Sequence, residues 1–148
     1  MIEIRPFSPG NDEDAVIALW QECGLTRPHN DPRRDIRRKL LVQGELFLVG
    51  VSEGTLVATV MAGYDGHRGW LNYLAVHPSC RRRGLGRQLV EAAEARLRTL
   101  GCAKINLQVR DDNMQAVAFY HRIGFLPDRV VCLGKRLVVD HQQDTSIP

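Results

Sequence analysis

Hydrophobic and polar positions alternate in some stretches of this chain and recur at helical spacing in others. Ile2-Glu3-Ile4-Arg5 alternates and predicts a first strand. Ala15, Val16, Leu19, Trp20 and Cys23 share one face of a helix that Asn11 or Asp12 can cap and Gly24 can stop. Thr26 to Pro32 is polar and reads as a loop. Asp31 followed by Pro32 is a cap and a first helical position, opening a short basic helix through Leu41. Glu45 to Ser52 and Thr55 to Tyr64 are apolar runs joined by Glu53-Gly54, which predicts a hairpin. Asp65-Gly66 marks a further turn, and Trp70 to Val76 a fourth strand ended by His77-Pro78. Leu85, Leu89, Ala93 and Leu97 then recur every fourth residue on a long helix that stops at Gly101. Lys104 to Val109 is a fifth strand, Asn113 to Arg122 a helix closed by Gly124, and Val130 to Val139 a last strand. His141 to Pro148 is polar and expected to fray.

This order, a strand, two helices, a meander of three strands and then alternating elements, predicts an α/β fold. Its sheet should be mixed, with helices on its faces. A chain of 148 residues suits one domain, taken as residues 1–140 with a tail, and can bury a real core. With 44% hydrophobic and 25% charged residues, disorder and a disulfide scaffold are excluded. No apolar run reaches the roughly 20 residues that cross a bilayer, and MIEIRPFSPG lacks the pattern of a signal peptide. A cytoplasmic protein without a membrane partner is expected. Cys23, Cys80, Cys102 and Cys132 are scattered singletons with no C-x-x-C pair, so no metal is expected.

The net charge of +3 permits an anionic ligand without demanding nucleic acid. Arg33, Arg34, Arg37, Arg38 and Lys39 cluster on the second helix, and Arg81 to Arg83 add a second patch. Nearby acids offset them, and at 6% aromatic residues are too few for stacking platforms. A solvated basic face is the expectation. A nucleic-acid-binding module is the alternative, with a steep salt dependence of affinity as its signature.

The most informative stretch joins the fourth strand to the long helix: Leu74-Ala75-Val76-His77-Pro78, then Arg81-Arg82-Arg83-Gly84-Leu85-Gly86-Arg87. Free backbone N–H groups and the helix dipole converge at such a helix start. Gly84 and Gly86 admit close approach of a ligand to backbone. Arginines add full charges, which together suit a pyrophosphate. A dinucleotide fingerprint would need a third glycine and an earlier strand.

A second stretch, Asn113 followed by Ala116-Val117-Ala118-Phe119-Tyr120-His121-Arg122-Ile123-Gly124-Phe125, completes a pair of motifs. Together they resemble the GNAT superfamily of acetyl-CoA-dependent N-acetyltransferases. Arg81, Gly84 and Gly86 match its R/Q-x-x-G-x-G/A loop, and Asn113 to Phe125 match N-x-x-A-x-x-F-Y-x-x-x-G-F. Gly63 to Gly69 and Leu133 to Leu137 resemble its small bacterial YpeA-like members.

The resemblance implies a central twisted mixed sheet of six to seven strands flanked by about four helices. It implies acetyl-CoA as donor, no metal, and a small-molecule or protein amine as acceptor, attacked directly in a ternary complex. Arg81, Arg82, Arg83, Gly84, Leu85, Gly86 and Arg87 would hold the pyrophosphate. Leu74, Ala75 and Val76 would pair with the pantetheine arm, and Asn113, Phe119 and Tyr120 would complete the donor site. A bulge in the fourth strand would splay it from the fifth, and a backbone N–H there could polarise the acetyl carbonyl. Tyr120 would protonate the leaving thiolate, a reasonable match of pKa ~10 to ~8.5. Asn113 can equally be a plain helix cap.

The general base is open among Asp65, His67 and Tyr73. Relatives acting on ribosomal-protein N-termini carry a glutamate where this chain has Gln108, and glutamine takes no proton. Arg27, Asn30 and Asp31 are candidates for the acceptor pocket, whereas Trp20 reads as core. Cys80 beside the arginines offers a covalent acetyl route, which the resemblance disfavours. A catalytically silent coenzyme A-binding sensor is the remaining alternative. A monomer or homodimer is expected.

Overall fold

The computed structural model describes residues 2–140, so the predicted frayed tail lies outside the described residues. The elements are β1 (Ile2–Pro6), α1 (Glu13–Glu22), α2 (Pro32–Leu41), β2 (Phe47–Ser52), β3 (Thr55–Tyr64), β4 (Gly69–Val76), α3 (Leu85–Thr99), β5 (Ile105–Leu107) and α4 (Met114–Arg122). One sheet runs in the order β1-β2-β3-β4-β5. The first four strands are mutually antiparallel, and β5 joins β4 in parallel after the α3 crossover.

The central strands are predominantly apolar because both faces of the sheet are covered. Leu48, Ala58, Val60 and Ala62 face α3, whose Leu89, Ala93 and Leu97 are the fourfold-spaced residues of the sequence. Phe47, Val49 and Met61 point the other way, onto Val16, Ile17 and Trp20 of α1 and Ile36 of α2. A period-two strand between a period-3.6 helix on each side produces this alternation.

The predicted start of α2 holds: Asp31 accepts a hydrogen bond from the Arg33 N–H at 2.9 Å, and Pro32 follows as first helical residue. At α1 the cap differs. Asp12 is the flanking residue, but its side chain makes no cap bond. It accepts from both Arg5 terminal nitrogens at 2.7 and 3.0 Å and from the Ser8 N–H at 2.7 Å. This tie fastens β1 to α1. The Arg5 hydrogen bond chiefly holds the Asp12 carboxyl below its ordinary pKa. A depressed folded pKa means stability present above about pH 4 and lost as pH falls through the folded value. Asp12→Asn should therefore lower stability at pH 7 by about 1–2 kcal/mol, discounted for the partly exposed Arg5. Urea melts at pH 7 and pH 3 check it, and the difference from wild type should shrink at the lower pH.

Two strand expectations need correction. β5 covers Ile105–Leu107 only, pairing with Gly69–Leu71 of β4. Beyond Leu71 a bulge carries β4 away, so Gln108 and Val109 at the end of the predicted Lys104 to Val109 strand have no strand partner among the described residues. The predicted strand from Val130 to Val139 does not form, which leaves five strands among the described residues, not six to seven. Ion pairs tie this segment down in place of a ladder: Lys104 to Asp128 at 2.8 Å at one end, Arg38 to Asp140 at 2.7 Å at the other. Its Val130, Val131, Leu133 and Leu137 are exposed. Four α-helices are present among the described residues, as expected. No described helix is long and apolar enough to cross a membrane.

Candidate active site

The bulge in β4 is the centre of the site. Thr59 pairs with Ala75 and Met61 with Asn72, so Tyr73 and Leu74 together oppose the single residue Val60. Two residues against one is a β-bulge, which bends the strand. Because β5 follows only as far as Leu71, the stretch from Asn72 to Val76 has no strand partner on that side among the described residues. A slot opens there, with Leu74, Ala75 and Val76 on its β4 wall.

At the mouth of the slot stands the N-terminus of α3. Gly84 occupies the cap position with φ 76°, and no side chain caps the helix. No acidic residue lies in the first turn, so the first N–H groups and the helix dipole face outward uncompensated. Gly86 is pressed into the site: a Cβ there would lie 3.1 Å from Phe119 Cζ and 3.6 Å from Val76 Cγ2. The end of β4, the start of α3 and the aromatic face of α4 therefore meet at one point.

The four arginines do different things. Arg81 turns back, its Nε donating to the Val76 carbonyl at 3.1 Å. Arg87 pairs with Glu91 at 2.9 Å. Arg82, at φ 64°, and Arg83 are exposed beside the helix start. These two are the arginines left to meet an anion. The loop fits a pyrophosphate: uncapped N–H donors, a glycine turn and two guanidinium groups with no partner among the described residues.

Asn113 caps α4, its side-chain oxygen accepting from the Ala116 N–H at 3.0 Å. Tyr120 sits edge-on between Phe119 and Phe125, at 5.1 and 5.6 Å between ring centroids. Burial pushes its phenol up to about 12. It lines an open cavity with Leu107, Gln108 and Cys132. The Gln108 amide donates to the Cys132 sulfur.

The proposed bases are not brought together. The Asp65 carboxylate accepts from the His67 and Arg68 N–H groups at 2.8 and 2.7 Å, a turn that holds it ionised below its ordinary pKa. That turn precedes Gly69, about 15 Å along β4 from the bulge at strand rise. Tyr73 is at the bulge, but its hydroxyl donates to Asp35 at 2.5 Å. Burial and then this bond raise its pKa, so the phenol stays protonated.

The acceptor candidates are engaged structurally. Arg27 donates to the Gly24 and Thr26 carbonyls at 2.7 and 3.0 Å, and Asn30 accepts from Arg136 at 3.0 Å. Asp31 caps α2. Cys80 has the Ser79 hydroxyl at 3.6 Å as its polar neighbour. Three of the five cations of the expected basic cluster on α2 are paired: Arg33 with Glu13 and Asp14, Arg34 with Asp31 and Asp140, Arg38 with Asp35 and Asp140. No group of three or more metal-ligating side chains gathers among the described residues.

Sequence reasoning missed Asp35, Thr59 and Asp140. Asp140 is only 3% exposed and bonds Arg38 across 102 residues of chain, a contact no local pattern encodes. The Trp20 core assignment holds, since it is fully buried.

Residues 13–125 match the model of the acetyltransferase (GNAT) family. A Yersinia pestis protein named acetyltransferase is 46% identical over 141 residues, covering 95% of this chain and 99% of that one. The Ard1 structure from Thermoplasma volcanium aligns with a TM-score of 0.69 at 26% identity, over 84% of this chain and 82% of its own. The PaiA N-acetyltransferase of Thermoplasma acidophilum, solved in complex with coenzyme A, aligns at 0.70 and 22% identity over 88% and 93%. With the splayed strand and the uncapped helix start already in place, these matches make the chain a member of the GNAT acetyltransferase family.

Proposed function

We propose that this protein transfers an acetyl group from acetyl-CoA to a primary amine by direct attack within a ternary complex. The observation that carries this reading is the uncapped N-terminus of α3 placed against the bulged, half-unpaired β4. The donor supplies its acetyl group as a thioester, and the remaining work falls to side chains and backbone of this chain. N–H groups of Leu85, Gly86 and Arg87, with the Arg82 and Arg83 guanidinium groups, hold the pyrophosphate. Leu74 to Val76 offer the pantetheine arm an edge with no strand partner among the described residues, the Val76 carbonyl being held by Arg81. A bulge N–H polarises the acetyl carbonyl. The Tyr120 hydroxyl, which has no hydrogen-bond partner among the described residues, is free to donate a proton to the departing sulfur as the C–S bond breaks, and the proton that the amine sheds on forming the new C–N bond passes through water to restore the phenol.

Thiol release from acetyl-CoA, measured against pools of polyamines, amino acids, aminoglycosides, lysine peptides and N-terminal peptides, tests the reaction. Release with one pool supports transfer and identifies the acceptor class. A paired melt tests the donor site. At about a hundred times Kd, acetyl-CoA should add about 2.7 kcal/mol and raise Tm by about 5 to 10 °C. No shift at saturation would sink the pyrophosphate assignment. A shift without release from any pool would favour the silent sensor.

A further inference from the structure

Resting on the acetyl-transfer reading, we propose that Tyr73 is a positioning residue. Held by Trp20, Thr59 and Asp35, it locks the Tyr73–Leu74 peptide so that the Leu74 N–H points into the slot, at the acetyl carbonyl.

Tyr73 has φ 51°, and of the four non-glycine residues with positive φ among the described residues it alone lies inside a strand. A bulky residue stays in the left-handed region only where its surroundings over-determine it. Three elements do so here. From α1, the Trp20 ring stacks on the Tyr73 ring at 3.8 Å and 13°. From α2, Asp35 accepts the Tyr73 hydroxyl hydrogen at 2.5 Å. From β3, the Thr59 hydroxyl donates to the Tyr73 carbonyl at 2.8 Å. Thr59 is fixed in turn, since it accepts from Trp20 Nε1 at 2.9 Å. Trp20 and Thr59 are both fully buried.

The consequence follows from peptide geometry. In a planar trans peptide the C=O and the next N–H point in opposite directions. With the Tyr73 carbonyl pinned to Thr59, the Leu74 N–H is directed away from Thr59, to the side that β5 has left. The side chain of Tyr73 touches no reacting atom in this scheme. It sets the direction of a backbone donor.

Isotope-edited infrared spectroscopy of acetyl-CoA carrying 13C at the carbonyl reads that donor directly and needs no acceptor. Bound to the wild type, the carbonyl stretch should fall below its value in free solution. Tyr73→Phe keeps the stacked ring and loses one oxygen. It and Asp35→Ala should return the band at least halfway to the free value. Both should weaken acetyl-CoA about fivefold, the effect of one lost net hydrogen bond. Coenzyme A itself, which has no carbonyl, should bind within about twofold of wild type. Asp35→Asn keeps an acceptor oxygen and should restore the wild-type band. An unshifted wild-type band, or an unmoved band in both Tyr73→Phe and Asp35→Ala, overturns the proposal. So does Asp35→Asn falling as far as Asp35→Ala, which would make the charge of Asp35 the working feature. Failure of the wild type to bind acetyl-CoA at all would instead bring down the acetyl-transfer reading beneath it.

Discussion

Replacing Gly84 by aspartate should weaken acetyl-CoA binding at least about a hundredfold while leaving the protein folded. A Cβ at Gly84 meets no atom within 4 Å, so the new side chain has open space. The position has φ 76°, a conformation that aspartate and asparagine tolerate better than other residues. Aspartate is also a favoured N-cap, and its charge suits the helix dipole. The apoprotein should therefore melt within a few degrees of wild type. The ligand meets the opposite effect. A fixed carboxylate about 4 Å from a phosphate charge costs about 1 kcal/mol in water and about 4 kcal/mol in a surface groove of lower effective dielectric. A pyrophosphate carries more than one such charge. Gly84→Asn is the control, with the same shape and backbone preference and no charge. Calorimetric titration of acetyl-CoA into both variants separates the effects. If the two variants lose affinity equally, shape and not charge is responsible, and the anion site is misassigned.

Tyr120→Phe should lower kcat by about tenfold or more and leave acetyl-CoA affinity within about twofold. The hydroxyl it removes bonds nothing among the described residues, and the ring contacts with Phe119 and Phe125 are retained. The pH dependence is a sharper check. A general acid fails once it has lost its proton, so its rate falls on the alkaline side of its pKa. Burial pushes the Tyr120 phenol up to about 12. The wild-type kcat should then show no alkaline loss from this group below about pH 11. A leaving thiolate in the same apolar surroundings is likewise disfavoured, which raises its proton affinity toward that of the phenol. Steady-state kinetics from pH 6 to 10 with the acceptor found by thiol release measure both quantities. Unchanged turnover in Tyr120→Phe removes Tyr120 from the mechanism.

Both variants act at positions legible in the sequence, and the reason is local. Gly84 and Gly86 punctuate a strand-to-helix junction, and Tyr120 sits in a motif on one helix. The cap at Asp31, the hairpin from β2 to β3 and the fourfold stripe of α3 were legible for the same reason. Each rests on contacts between residues a few positions apart. The bases suggested by residue type fared differently. Asp65 and His67 have suitable chemistry, but their turn lies at the far end of β4 from the bulge. Tyr73 is in place, yet its proton is committed to Asp35.

Taken alone, then, the residue pattern determined the order of the elements from β1 to α4, the two-faced core and the family, and it marked the loop before α3 as the candidate anion site. All of these depend on periodicity, on glycine and proline geometry, or on motifs within one segment. Only the tertiary structure decided where β4 leaves β5 and which arginines remain free. It alone set the extent of β5 and the unpaired course of the segment after Asp128. It also brought Trp20, Asp35, Thr59 and Tyr73 from four separate elements onto one bulge. Such placements depend on packing between distant segments. A strained backbone angle like that of Tyr73 has no local sequence signature, because the contacts that hold it are supplied from elsewhere in the chain.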